Sequence, residues 1–187
     1  MNRLDEILEY NKKFVENRDY EMFVTSKHPD KKVVLLSCMD TRLTNLLPRA
    51  LNMKNGDAKI IKNAGATVMH AFGSIMRSII VAIYEFNVED VLVIGHDKCG
   101  MCNLDTEEMI NKMRNRCISE EVINTLNNSN IDIKQWLHGF NSIDQSVEDS
   151  VNSIKNHPLV PKDVSIHGLI MCPETGKLEI VINGYEN

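Results

Sequence analysis

Val91-Leu-Val-Ile-Gly-His-Asp-Lys-Cys-Gly-Met-Cys102 decides how this chain is read. It opens as a short apolar, β-branched run, the pattern of a strand buried on both faces. It breaks at Gly95 and delivers His96 and Cys99 within four residues. A buried strand that ends this way sets soft metal ligands at a fixed edge of a sheet. Upstream, Val33-Val-Leu-Leu-Ser-Cys-Met-Asp-Thr-Arg42 has the same form, an apolar run that ends in Cys38, Asp40 and Arg42. Two core strands with such ends point to one site built from both.

Outward from these strands the pattern alternates. Residues 3–18 carry Leu4, Ile7, Leu8, Phe14 and Val15 on one helical face. This helix precedes the first strand, so it packs either on a partner subunit or on its own domain. A short helix spans 43–51, with Pro48 shaping it, and a short strand 58–62, followed by the glycine-containing loop Asn63-Ala-Gly-Ala66. Phe72, Ile75, Met76, Ile79, Ile80, Ile83 and Phe86 recur at three and four residues and form the broad apolar stripe of a core helix. Residues 105–127 are polar and helical, with helix starts at Thr106 and Ser119. A helix at 146–156 and strands at 164–171 and 178–182 close the chain, the last two antiparallel around the turn Pro173-Glu-Thr-Gly176.

Strands alternating with helices predict an α/β fold: one domain over 1–187, with a mainly parallel sheet flanked by helices. The expected strand order is 2-1-3-4-5, with the last strand antiparallel. In that order ligands bind beyond the carboxyl ends of strands one and three, where the winding reverses. Cys38 and His96 stand at those two ends.

The totals narrow the function. A net charge of -5, with no basic block longer than a pair, argues against a nucleic-acid partner. No apolar run reaches the about 18 residues of a membrane span, and the acidic N-terminus lacks the core of a secretion signal. A cytoplasmic location is expected. There an odd count of five cysteines reads as thiols or ligands rather than disulfides. Cys117 and Cys172 read as ordinary small side chains.

Zinc takes thiolates and imidazole, and a catalytic zinc keeps one position open beside three protein ligands. Cys38, His96 and Cys99 supply such a set. The ion acidifies bound water, although two thiolates offset its charge and weaken that effect relative to three histidines. Asp40 can reach either the metal or the water. If strand geometry continues past Cys38, Asp40 and Arg42 project to the same side, and the guanidinium fork holds Asp40 ionised as an acceptor. A rival reading takes Cys99-Gly-Met-Cys102 as a thioredoxin-like redox pair, which leaves Cys38, His96, Asp40 and Arg42 without a shared task. Cys38 and Arg42 stand too close in sequence for a Cys-x5-Arg phosphatase loop. His70 precedes the core helix and is a candidate to line a pocket.

These residues resemble the β-class carbonic anhydrases. That family's pattern runs Cys-x-Asp-x-Arg, then an Arg/Lys-Asn-Ala-Gly loop, then His-x-x-Cys-Gly. Here Cys38-Met-Asp40-Thr-Arg42, Lys62-Asn-Ala-Gly65 and His96-Asp-Lys-Cys99-Gly100 follow in that order. Gly56-Asp-Ala-Lys59, the Arg77–Tyr84 segment and His167-Gly-Leu-Ile170 resemble its small archaeal-type (Cab-type) branch, so the resemblance covers most of the chain. It implies reversible hydration of CO2 to bicarbonate by zinc-bound hydroxide. Cys38, His96 and Cys99 would be the ligands, Asp40 and Arg42 the catalytic dyad, and Asp40 a fourth zinc ligand in a closed form. It also implies a homodimer or higher even oligomer with sites near subunit interfaces. Relatives of this branch hydrolyse carbonyl sulfide or carbon disulfide with the same ligands, which is the alternative activity. Asp97-Lys98 departs from the family's usual pair between the ligands and brings charge to the pocket mouth.

Overall fold

The computed structural model describes residues 2–186, so Met1 and Asn187 of the expected 1–187 domain lie outside it. Five strands form one sheet: β1 (Val33–Cys38), β2 (Ala58–Asn63), β3 (Asp90–His96), β4 (Ser165–Met171) and β5 (Leu178–Ile182). Their order is β2-β1-β3-β4-β5. The first four are parallel and β5 runs antiparallel to β4. The expected topology is the observed one. β1 is buried at every position, as an unbroken Val/Leu run requires once both faces are covered.

The pleat sorts side chains to two layers. Val34, Leu36, Val91, Val93, Ile166 and Ile170 face one way. They pack on Met76, Ile79 and Ile83 of α3 (Ser74–Phe86) and on Val147, Val151 and Ile154 of α7 (Ile143–Lys155). Val33, Leu35, Ile94 and Met171 face the other way, against Leu43 and Leu47 of α2 (Leu43–Ala50). Burying a Val, Leu or Ile side chain stabilises the fold by about 1.5–3 kcal/mol, so this alternation fixes the register. Register in turn fixes the site, because sliding β3 by one residue would turn His96 to the opposite face.

One expectation needs correction. Phe72 is 81% exposed and outside α3. Gly73, at φ -81 and ψ 174, is the extended N-cap residue, so helical periodicity starts only at Ser74. Residues 105–127 hold the two helices expected from the starts at Thr106 and Ser119. They divide into α4 (Thr106–Asn115) and α5 (Glu120–Asn128), and the Asp105 and Ser119 side chains accept the backbone N–H groups of Glu108 and Val122. With α6 (Ile133–Leu137) these helices enclose a separate small core of Ile110, Ile123 and Ile133.

The helical excursion is tied at its base. Asn103 N–H donates to the Phe140 carbonyl at 2.8 Å, and Phe140 N–H donates to the Met101 carbonyl at 3.1 Å. Gly139 sits so close that a Cβ there would lie 1.8 Å from the Met101 oxygen. Gly139→Ala should therefore force the strap apart and cost about 3 kcal/mol, a fall in Tm of roughly 6–12 °C. A thermal melt unchanged within a degree or two would show that the strap contributes no rigidity.

The amphipathic N-terminal helix is α1 (Arg3–Glu16), started by a capping box on Asn2. It buries none of its residues, and Leu4, Ile7 and Leu8 are each more than half exposed. Among the described residues no helix is long and apolar enough to cross a membrane.

Candidate metal centre

β1 ends on Cys38 and β3 on His96, neighbouring strands at the carboxyl edge of the sheet. The turn after β3 returns Cys99 to the same place. Lys98, at φ 54, makes that reversal. Ligand-type atoms of Cys38, His96 and Cys99 all lie within 4.8 Å of one another, and all three residues are buried.

The fit to a metal can be judged atom by atom. His96 Nδ1 lies 2.9 Å from the Asp97 carbonyl oxygen. A carbonyl only accepts, so Nδ1 carries the proton and Nε2 presents its lone pair. Nε2 is buried and, among the described residues, has no hydrogen-bond partner. A buried acceptor left without a partner costs about 1–3 kcal/mol, and a cation removes that cost. The Cys38 and Cys99 sulfurs stand 3.8 Å apart. Two sulfurs each about 2.3 Å from one tetrahedral zinc would stand about 3.8 Å apart. A disulfide needs about 2.05 Å, and all five cysteines are free.

Electrostatics agree with this fit. Burial opposes ionisation of both thiols. At Cys38 the His96 side chain and the backbone N–H groups of Gly65 and Asp40 outweigh burial, and the thiol is lowered to about 7. At Cys99 burial prevails, reinforced by the neighbouring Cys38, and the thiol is pushed up to about 11. Two adjacent buried thiolates therefore need a positive charge between them, and a divalent cation supplies it. Gly65, at φ 85, allows the close backbone approach. A Cβ there would meet the Phe140 ring at 2.9 Å.

Asp40 and Arg42 pair as expected, but by a different route. Strand geometry stops at Cys38 and the chain turns into α2. Asp40 Oδ1 accepts the Arg42 backbone N–H at 2.9 Å, closing a local turn. The guanidinium then folds back, Nε to Oδ1 at 3.0 Å and Nη2 to Oδ2 at 2.7 Å. These bonds hold the Asp40 carboxyl well below the usual carboxylate range. Asp40 Oδ2 lies 3.8 Å from His96 Nε2, so the carboxylate borders the three donors.

The sequence reading missed the support behind Arg42. Nη2 also donates to the Lys98 carbonyl at 3.2 Å, and the Lys98 ammonium pairs with Glu174 in the β4–β5 turn. The charge expected from Lys98 at the mouth is thus engaged by a carboxylate. Nothing in the spacing of residues 98 and 174 could have announced this contact. His70, a candidate pocket residue, is exposed in the turn before α3. Cys102 turns its sulfur to the Asn141 carbonyl at 3.8 Å, while the Cys99 sulfur faces Cys38. The C-x-x-C pair is therefore divided between two environments, which removes the basis of the redox reading.

A parallel sheet whose carboxyl edge gathers two thiols and an imidazole, all buried, defines an α/β metalloprotein with a zinc-type donor set. Comparison with known proteins then places it. The carbonic anhydrase family model matches residues 33–178. Bacillus subtilis YtiB, provisionally named a carbonic anhydrase, is 55% identical over 187 residues, all of both chains. The crystal structure of β-carbonic anhydrase isoform I from Trichomonas vaginalis superposes with a TM-score of 0.89 at 33% identity, covering 99% of this chain and 100% of that one. A more distant relative, a carbon disulfide hydrolase of Acidithiobacillus thiooxidans, is 26% identical over 161 residues, 80% of this chain and 76% of its own. The chain belongs to the β-carbonic anhydrase family.

Proposed function

We propose that this chain catalyses the reversible hydration of CO2 to bicarbonate, with zinc held by Cys38, His96 and Cys99. The observation that carries the proposal is the convergence of these three buried donors beside an Arg42-clamped Asp40. Zinc bound there supplies Lewis-acid chemistry, which makes water a nucleophile near neutral pH. Asp40 is the hydrogen-bond acceptor that aims the attacking oxygen. Both of its oxygens are fixed by Arg42, so its orientation is set before substrate arrives. Arg42 is in turn fixed by the Lys98 carbonyl. Burial of Cys38, His96 and Cys99 keeps the surroundings poorly hydrated, where fixed dipoles act more strongly than in water.

Stopped-flow assay of CO2 hydration tests the reading, with carbonyl sulfide and carbon disulfide run in parallel and zinc measured on the same sample. About one zinc per chain and turnover of CO2 well above the sulfur substrates are expected. Turnover of carbon disulfide alone would transfer the chain to the activity for which its distant relative is named. The reading extends to the small archaeal-type branch on the sequence features given above. Its location is proposed as the cytoplasm, a reducing compartment that suits five free thiols.

The assembly proposed is a homodimer or higher even oligomer, with α1 as the element that crosses to the second copy. Its support is the apolar stripe of Leu4, Ile7 and Leu8, each more than half exposed among the described residues. Removal of residues 1–17 should convert the assembly into smaller species in light scattering while single chains still fold. An unchanged mass would show that α1 plays no part in the contact.

A further inference from the structure

Asp40 can aim an oxygen only while Arg42 stays in place, yet the Arg42 side chain is 40% exposed. Water competes for a guanidinium so placed, and its order depends on what holds its far side. Nη2 carries that support. It donates to Asp40 Oδ2 at 2.7 Å and to the Lys98 carbonyl at 3.2 Å.

The Lys98 carbonyl needs holding in its turn. Lys98 is left-handed, at φ 54, a conformation that a residue with a Cβ seldom adopts unaided. One side is fixed at the end of β4, where the Asp97 N–H donates to the Met171 carbonyl at 3.0 Å. The other side is fixed by the Lys98 ammonium, which pairs with Glu174.

Glu174 stands on a firm base. In the β4–β5 turn the Cys172 N–H donates to the Lys177 carbonyl at 2.9 Å, and the Gly176 N–H donates to the Cys172 carbonyl at 2.8 Å. Gly176, at φ 76, lets the turn rest on α2, since a Cβ there would meet Ala50 and Leu46 at 3.3 Å. Arg42 is the N-cap residue of α2. One turn thus braces both sides of Arg42: the helix it starts, through Gly176, and the loop it leans on, through Glu174. The Glu174 carboxyl is held below its usual range by Lys98 and, less strongly, by Arg42, so it lies within the field of both cations.

We propose that Glu174 is a positioning residue for the Asp40–Arg42 dyad, acting through Lys98 to fix the carbonyl on which Arg42 rests. Its effect reaches the reaction as the aim of Asp40, and a small error in aim costs rate. Both partners of the Lys98–Glu174 pair are exposed, so its contribution is modest and is screened by salt. The inference rests on the CO2 hydration reading.

Stopped-flow CO2 hydration on the zinc-loaded protein tests it, with Glu174→Gln made in the parent and in Arg42→Ala. In the parent at low salt, Glu174→Gln should lose about threefold in kcat/KM, with zinc unchanged. In Arg42→Ala the same substitution should change nothing, because the guanidinium it steadies is gone. Lys98→Met should match Glu174→Gln, and the two together should lose no more than either alone. In about 1 M salt, where charges are screened beyond about 3 Å, the parent and Glu174→Gln should converge. An unchanged kcat/KM in Glu174→Gln would overturn the assignment. So would an equal loss in the parent and Arg42→Ala backgrounds, the signature of a general structural role. The Arg42 Nε–H signal in NMR gives a readout without turnover, and its exchange with solvent should quicken about threefold in Glu174→Gln. If the parent failed to hydrate CO2, the proposed function would fall, and this exchange would decide the brace by itself: an unchanged rate would overturn it.

Discussion

Cys99→Ser should leave the purified protein with less than about a tenth of its zinc and with no CO2 hydration above background. A serine hydroxyl does not ionise near neutral pH, so it cannot replace the thiolate whose charge offsets the ion. The loss cannot be absorbed by neighbours. Cys38 and His96 are buried on rigid strand ends and cannot swing to complete a new set. Cys38→Ser should behave in the same way. Cys102→Ser should keep both zinc and activity, because its sulfur is turned to the Asn141 carbonyl. Elemental analysis and stopped-flow rates on one preparation decide the matter. Full zinc in Cys99→Ser would break the proposed ligand set, and zinc loss in Cys102→Ser would redraw it.

Asp40→Ala and Arg42→Ala should both retain zinc and lose about 100-fold in kcat/KM for CO2, roughly 2.7 kcal/mol of transition-state stabilisation. The first removes the acceptor that aims the attacking oxygen. The second removes the two guanidinium hydrogen bonds that hold the acceptor in place and leaves only the one from the backbone N–H of residue 42. A freed Asp40 can then close the short distance to the metal, so a crystal of Arg42→Ala should show the carboxylate on zinc. The parent's activity should rise from about pH 6.5 to 9, since two thiolates acidify the attacking water less than three histidines would. Arg42 keeps Asp40 ionised across that whole range, so titration of Asp40 adds nothing to the slope. Were Asp40→Ala to keep full activity with the parent's pH profile, the dyad would have no part in catalysis.

Much of this centre was legible because it lies in local patterns. Buried strands announce themselves as short β-branched runs, and both runs here stop at soft ligands. The doubly wound order 2-1-3-4-5, one of the common orders for such alternating chains, then brings Cys38 next to His96. The Asp40–Arg42 pair was also legible, but its expected geometry was not. That geometry held only if the chain stayed extended past Cys38, whereas Asp40 bends it by taking the Arg42 N–H. Short polar side chains compete with the strand ladder in this way wherever they follow a strand end. Phe72 fits the helical period and yet lies outside it, because a helix starts at its cap and not at its first apolar residue. Lys98 with Arg42, and Gly139 with Met101, are tertiary contacts between loops. Period and spacing carry no trace of them.

The strap at Asn103 and Phe140 has a consequence for how such chains diverge. It makes the two ends of residues 104–139 immediate neighbours, so the segment departs and returns at nearly one point. Closing a longer or shorter excursion across that point changes the chain entropy only logarithmically. The segment is therefore a cassette. A lineage can lengthen it, trim it or exchange its helices while the ligand-bearing edge of the sheet stays in register. Variation in the length and helices of that segment can accumulate there without disturbing the three converging donors.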